Sequence, residues 1–322
     1  MKYWLLVCAA ITMGMSSCKS TVETTPLVLE RVEKLFFNAK SPNDLKTIIS
    51  QKPYLSQYFG ASLQDSTFLN HLYSNISNQE LRAFNTNLES VFGDMLDLKA
   101  QFEEAFATIK DTYPTFKSPK IATVVTGFLG NDLYVSDSII VIGLDYFGGP
   151  KAKYRPQLYE YQLKRYQKEY IVASVLFFLA EKHNKIDPQD KTFLADMVAY
   201  GKAFEFVKHV APNTPDSLII GYSQKQLDDV YASQQDIWAY FLSRKILYQS
   251  RDVEKQPFFS ERPATIEISQ ECPGAIGRWV GWRIVNKYLR ENSRVSLKEL
   301  MENSNTRQIF EQSNYRGEPD EE

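Results

Sequence analysis

Between Lys120 and Phe147 the chain exchanges one repeat for another, and this change limits the possible folds more than any other feature. Lys120 to Phe128, Leu133 to Val135 and Ile139 to Phe147 are rich in Val, Ile, Thr, Tyr and Phe, and Gly127, Gly130, Asn131, Asp132 and Ser136 to Ser138 punctuate them. That is the composition of short strands separated by turns. On both sides the apolar residues recur at helical spacing, as in Val32, Leu35, Phe36, in Leu88, Val91, Phe92, Met95, and in Phe193, Met197, Tyr200, Phe204, Val207. One strand-rich island among helices can build only a small sheet, and the helices must cover it. The expected class is therefore α+β, mostly helical. Ser136-Asp137-Ser138 is the expected hairpin turn, which makes the expected sheet antiparallel, and Gly148-Gly149-Pro150 closes its last strand.

Amphipathic helices are expected from Leu27 to about Pro114, one of them starting at Ser41-Pro42-Asn43-Asp44, with Pro in the first helical position. Tyr166 to Glu181 is apolar nearly all round, as a central buried helix would be. Ser223-Gln224-Lys225-Gln226 forms a capping box, expected to open one long helix through Ile246. A further helix is expected from Cys272-Pro273 to about Glu291, and Ser296 to Glu299 should cap a short one.

The amino terminus constrains location. Lys2, the apolar stretch Trp4 to Ile11 and Met15-Ser16-Ser17-Cys18 resemble a bacterial lipoprotein signal. Residues 1–17 would be removed, and Cys18 would carry acyl chains that attach the protein to a membrane. The apolar stretch is too short to span the roughly 30 Å of a bilayer core. Residues 18–26 read as a tether, 27–316 as the folded body and 317–322 as an acidic tail. Within the body, 27–118 is the N-terminal helical part and 119–316 carries the sheet and later helices. Lys19-Ser20-Thr21-Val22 stands where an acidic run accompanies surface export, so a lipid-anchored, periplasm-facing envelope protein is expected rather than a cell-surface one. Once Cys18 is acylated only Cys272 remains, which leaves no intramolecular disulfide and suggests a small buried residue.

Charge and motifs exclude several function classes. The 37 Lys and Arg are balanced by 39 Asp and Glu, for a net charge of −2, and the basic face needed to neutralise phosphates is missing, so nucleic acid is not an expected partner. The order of a small sheet, a buried helix and a second helix bearing Tyr200-Gly201-Lys202 is that of the zincin metallopeptidases. Their His-Glu-x-x-His places two imidazoles on one metal from successive helical turns. Glu169 to His183 contains no such motif, and His71, His183 and His209 are dispersed. Glu205 is expected to be a surface carboxylate. A Gly-x-Ser-x-Gly elbow, a phosphate-binding loop and a dinucleotide fingerprint are also missing. Neither metal nor cofactor is expected.

The densest remaining cluster is Pro273-Gly274-Ala275-Ile276-Gly277-Arg278-Trp279-Val280-Gly281-Trp282-Arg283-Ile284-Val285. Gly277 and Gly281 leave a bare stripe one turn long, open either to a packed helix or to a ligand. Arg278 would sit either in an internal ion pair or against an anion near the positive helix end. Together with Ile139 to Gly148, Met197 to Lys202, Ile219 to Ser223 and Ile237 to Phe241, this segment resembles the gliding-motility lipoprotein GldB family of Bacteroidota. The resemblance covers roughly Lys120 to Arg316 and the lipoprotein signal. It implies a zincin-like core without the metal motif, and a non-catalytic assembly or binding role with an envelope protein as partner. A divergent zincin-type hydrolase is the alternative. Tyr200 departs from the acidic residue expected before the Gly-Lys pair. Tyr146, Tyr200, Arg278 and Trp282 are the residues of these motifs expected to form a binding cleft.

Overall fold

A computed structural model describes residues 26–60, 62 and 65–318. The signal segment and Cys18 lie outside the described residues. The body begins with strand β1 (Leu29–Arg31) and helices α1 (Val32–Asn38), α2 (Pro42–Gln51), α3 (Pro53–Phe59), α4 (Ser66–Ser77), α5 (Gln79–Phe92) and α6 (Leu96–Thr112). Strands β2 (Lys120–Val124), β3 (Leu133–Val135) and β4 (Ile139–Gly143) follow. Then come α7 (Glu160–Leu163), α8 (Ile171–Glu181), α9 (Phe193–Val210), α10 (Asp216–Ile220), α11 (Gln224–Ala232) and α12 (Gln234–Ser243). The chain ends in α13 (Asp252–Phe259), α14 (Ile276–Glu291), α15 (Leu297–Glu302) and α16 (Thr306–Ser313).

The protein is mostly helical with one small sheet, as expected, but the sheet is mixed and not antiparallel. Its order is β1-β2-β4-β3; β1 and β4 both run parallel to β2, and only the β3–β4 hairpin is antiparallel. The physical reason is that the central strands are covered on both faces. Ile140 and Ile142 point into one core, and Ile139 and Val141 into the other. A continuous apolar run of this kind belongs to a doubly covered, parallel strand, whereas an antiparallel strand with one wet face alternates. β1 was expected to be helix. Leu29-Glu30-Arg31 has no strand composition, and its conformation comes from pairing with Ile121 to Thr123.

Helices α1 to α4 cover one sheet face with Val32, Phe36, Leu45, Ile49, Leu72 and Ile76. The other face meets a larger core drawn from α5, α6, α8, α9 and α14. At its centre α9 and α14 cross with their backbones in contact. A Cβ on Gly281 would lie 1.9 Å from the Met197 carbonyl oxygen, and one on Gly201 would lie 2.3 Å from the Gly281 carbonyl oxygen.

Local signals held where side chains cap helices. Ser41, Ser223 and Ser296 accept from the main-chain N–H groups of Asp44, Gln226 and Glu299, and Pro42 is the first residue of α2. The expected long helix after Ser223 is broken at Ser233 into α11 and α12. The helix expected from Cys272 starts later, at Ile276. Before it, Ala275 is left-handed (φ 59), and the Pro273 and Gly274 carbonyls accept from Thr265 Oγ1 and the Tyr222 hydroxyl. Cys272 is buried, and burial pushes its thiol up to about 12, which makes it inert at neutral pH. Among the described residues no helix is long and apolar enough to cross a membrane.

Candidate functional site

A cleft of about 230 Å³ opens between α8, α9, the start of α14 and the edge strand β3. Helix α8 presents Ser174, Phe177 and Phe178 to it, and α9 presents Tyr200 and Phe204, one turn apart. Phe178 is 45% exposed, unusual for so large an apolar side chain, and lies on the cleft wall. Leu133 and Asp132 border it from the sheet, and Arg165, Glu261 and Arg278 from the far end.

Asp132, on the cleft rim, ends a loop held by buried hydrogen bonds. Asp145, almost fully buried, accepts from the main-chain N–H groups of Thr126 (3.0 Å) and Phe128 (2.8 Å). Burial pushes its carboxyl above the usual range, against the pull of these backbone donors. Gly127 and Phe128 both take positive φ, 73° and 65°, so that the loop can wrap around this carboxylate. The Tyr146 hydroxyl donates to the Gly130 carbonyl at 2.6 Å and buttresses the same loop. Asp132, at the loop's end, accepts from the Tyr166 hydroxyl at 2.8 Å. Burial, reinforced by Asp132, raises the Tyr166 phenol well above its ordinary value.

Tyr200 and Arg278 are brought together. The guanidinium lies 4.6 Å from the centre of the Tyr200 ring, and that ring stacks on Phe259 at 5.6 Å. Arg278 also approaches Glu261 at 3.9 Å, while Arg165 donates directly to the same carboxylate oxygen. The other two expected residues do not line the cleft. Tyr146 lies 6.1 Å from Tyr166, outside the cleft lining. Trp282, one turn beyond Arg278, is buried beneath Phe204 with ring centres 5.4 Å apart. Its indole N–H donates to Glu205 at 2.8 Å.

Glu205 is therefore no surface carboxylate. It is 7% exposed and accepts from Trp282 and from Asn286 (2.9 Å); burial pushes its carboxyl up, and these two donors oppose the shift. Lys202 is buried too. Its ammonium donates to the carbonyls of Lys185 (2.7 Å) and Asn303 (2.8 Å), and burial lowers its pKa to about 8. The Tyr200-Gly201-Lys202 triplet thus divides its tasks: a ring for the cleft, a bare contact for α14, and a tie to the loops that flank α9 and α15.

Among the described residues no three His, Cys, Asp or Glu side chains gather where they would hold a metal. His183 stacks on Tyr113 at 3.9 Å, and His71 and His209 are exposed. The acids lining the cleft, Asp132 and Glu261, are each engaged by a tyrosine or an arginine. Such a lining, aromatic and with its two acids already paired, suits binding of an apolar or extended ligand. Sequence reasoning missed Asp132, Arg165, Tyr166, Phe178 and Glu261. Only an apolar residue facing outward on the otherwise buried α8 hinted at Phe178; tertiary folding alone unites the rest.

A family model described as gliding motility protein GldB matches residues 16–317. No curated protein and no solved structure matches the chain. Matched over nearly its whole length, the chain is a gliding motility-associated protein and belongs to the GldB family.

Proposed function

We propose that this member of the family is a lipid-anchored, non-catalytic component of the cell envelope, facing the periplasm, whose cleft holds an extended segment of an envelope protein. The observation that carries the proposal is the cleft itself. Its walls are aromatic, Phe178 is exposed at it, and its acids are already tied to neighbouring side chains. It also runs beside the free edge of β3, where an extended chain can add main-chain hydrogen bonds. A zincin-like arrangement of sheet, α8 and α9 accords with that placement. Acylation at Cys18 keeps the body at the membrane, and two acyl signals anchor durably where one is marginal.

Two measurements test the proposal. Cys18→Ala should abolish incorporation of labelled fatty acid and move the protein out of the membrane fraction, with an unchanged melting temperature. Equal labelling of variant and wild type would refute the anchor. A photoreactive residue in place of Phe178 should crosslink one envelope protein in living cells, whereas the same group at exposed Ile186 should not. Absence of capture at Phe178 counts against the cleft, and turnover of envelope peptides by the purified protein overturns the non-catalytic part.

A further inference from the structure

Charge is sorted along the groove. Past Arg165 and Arg278 the cleft continues into a second hollow of about 50 Å³, which Lys164 and Arg262 also line and in which Glu261 is the single lining carboxylate. Arg165 already occupies Glu261, and Arg262 is held by both oxygens of Glu267 at 3.0 Å. Two cations are left less engaged. Lys164 is exposed; Arg278 reaches Glu261 only at 3.9 Å, and its buried Nε has no hydrogen-bond partner. This end of the groove therefore favours an anion. Asp132, the other acid nearby, is turned to the Tyr166 hydroxyl and the Leu133 N–H.

The strand beside the groove gives a direction. In the β3–β4 hairpin the Gly143 N–H donates to Asp132 and the Ser136 N–H donates to Ile139. The alternation of an antiparallel ladder then turns the main-chain groups of Leu133 and Val135 away from β4, toward the free edge. β3 runs from Leu133, on the cleft, to Val135, beside a further hollow lined by Phe178, Glu181 and Lys182. A chain added antiparallel to β3 arrives at the arginines with its carboxyl end. One added parallel would bring its amino end, a cation, to the same place. Charge decides between them, because guanidinium–carboxylate contacts are strong and directional.

Resting on the reading that the cleft holds an extended segment, the geometry points to a specific occupant: the free C-terminus of a partner chain, antiparallel to β3. Its α-carboxylate sits against Arg278 and Lys164, and an apolar C-terminal side chain packs on Phe177 and Phe204.

The test uses the purified mature protein and two libraries of short degenerate peptides, identical except that one is C-terminally amidated. Fluorescence anisotropy should show binding of the free-carboxylate library and about tenfold weaker binding of the amidated one, a difference of about 1.4 kcal/mol. Arg278→Gln should remove the preference at a near-wild-type melting temperature. If that variant melts early, exposed Lys164→Gln supplies the same readout. Equal binding of the two libraries overturns the inference, as does binding of neither, or a preference for vesicles of anionic phospholipid over the free-carboxylate peptides. Capture at Phe178 in cells without any carboxylate preference would refute recognition of the chain end and leave the segment reading standing; loss of capture would remove both.

Discussion

The two faces of the sheet are covered in different ways. On the α1–α4 side the helices are short, none longer than the 12 residues of α4, and they interlock through side chains such as Phe36, Tyr58 and Leu72. On the other side α9 and α14, of 18 and 16 residues, meet backbone to backbone at Gly201 and Gly281. A layer joined by side chains loosens by degrees when one is trimmed. A layer joined by main chain has no such slack, because a carbonyl cannot rotate out of the way. The cleft is built mainly on the rigid layer, and the loop that leads to Asp132 on its rim reaches across to the softer one, where a Cβ on Gly130 would collide with the Tyr58 ring at 2.3 Å.

The largest expected effect is on the rigid side. Gly281→Leu places a side chain where even Cβ has no room, and it should cost about 4 kcal/mol or more, melting the whole body in one transition. Gly277→Ala, one turn earlier, meets its nearest atoms at 3.1 Å and should cost about 1 kcal/mol. Thermal unfolding of the two variants measures the contrast; equal losses would show that the crossing is not special. On the softer side, Phe36→Ala removes a fully buried ring and should cost about 3 kcal/mol. Hydrogen exchange should then speed up in α1–α4 while α8, α9 and α14 stay protected. A uniform loss of protection would show that the two layers unfold as one unit.

The last contrast concerns the buried lysine of α9. Lys202 has a folded pKa of about 8 against an ordinary 10.5. Between these values the unfolded chain holds a proton that the folded one has released, so stability rises with pH across that window and is lost as pH falls through 8. Wild type should gain about 2 kcal/mol between pH 8 and 10.5 relative to Lys202→Met. Parallel denaturant midpoints for the two proteins across that range would show that the ammonium is not strained by burial.

Much of the helical frame is legible in sequence because caps are local. Ser41-Pro42, Ser223 to Gln226 and Ser296 to Glu299 each fix a helix start with side chains a few residues apart. Strand direction is not local, yet the run Ile139-Ile140-Val141-Ile142 carried a signal for it, since strict apolarity means cover on both faces. β1 carried none. Leu29-Glu30-Arg31 is a strand only because Ile121 to Thr123 lies beside it. Of the site, the Tyr200 and Arg278 pair follows from motifs on α9 and α14. Arg165, Tyr166 and Glu261 come from connecting segments that no periodicity singles out. Glu205 and Lys202 were obscured for another reason: charged residues read as surface residues unless every neighbour, as in Ala203-Phe204-Glu205-Phe206-Val207, already faces the interior.

The crossing of α9 and α14 also bears on how this protein can change over generations. Where helices pack through side chains, each substitution shifts their separation slightly, and drift in the core moves whatever the helices carry. Here the separation is set by two glycines and the peptide groups they touch, so it stays a fixed length as long as those glycines do. Tyr200 precedes one of those glycines and Arg278 lies within a turn of the other. A change among the surrounding aromatics would therefore leave the spacing of that ring and that guanidinium where the two glycines set it.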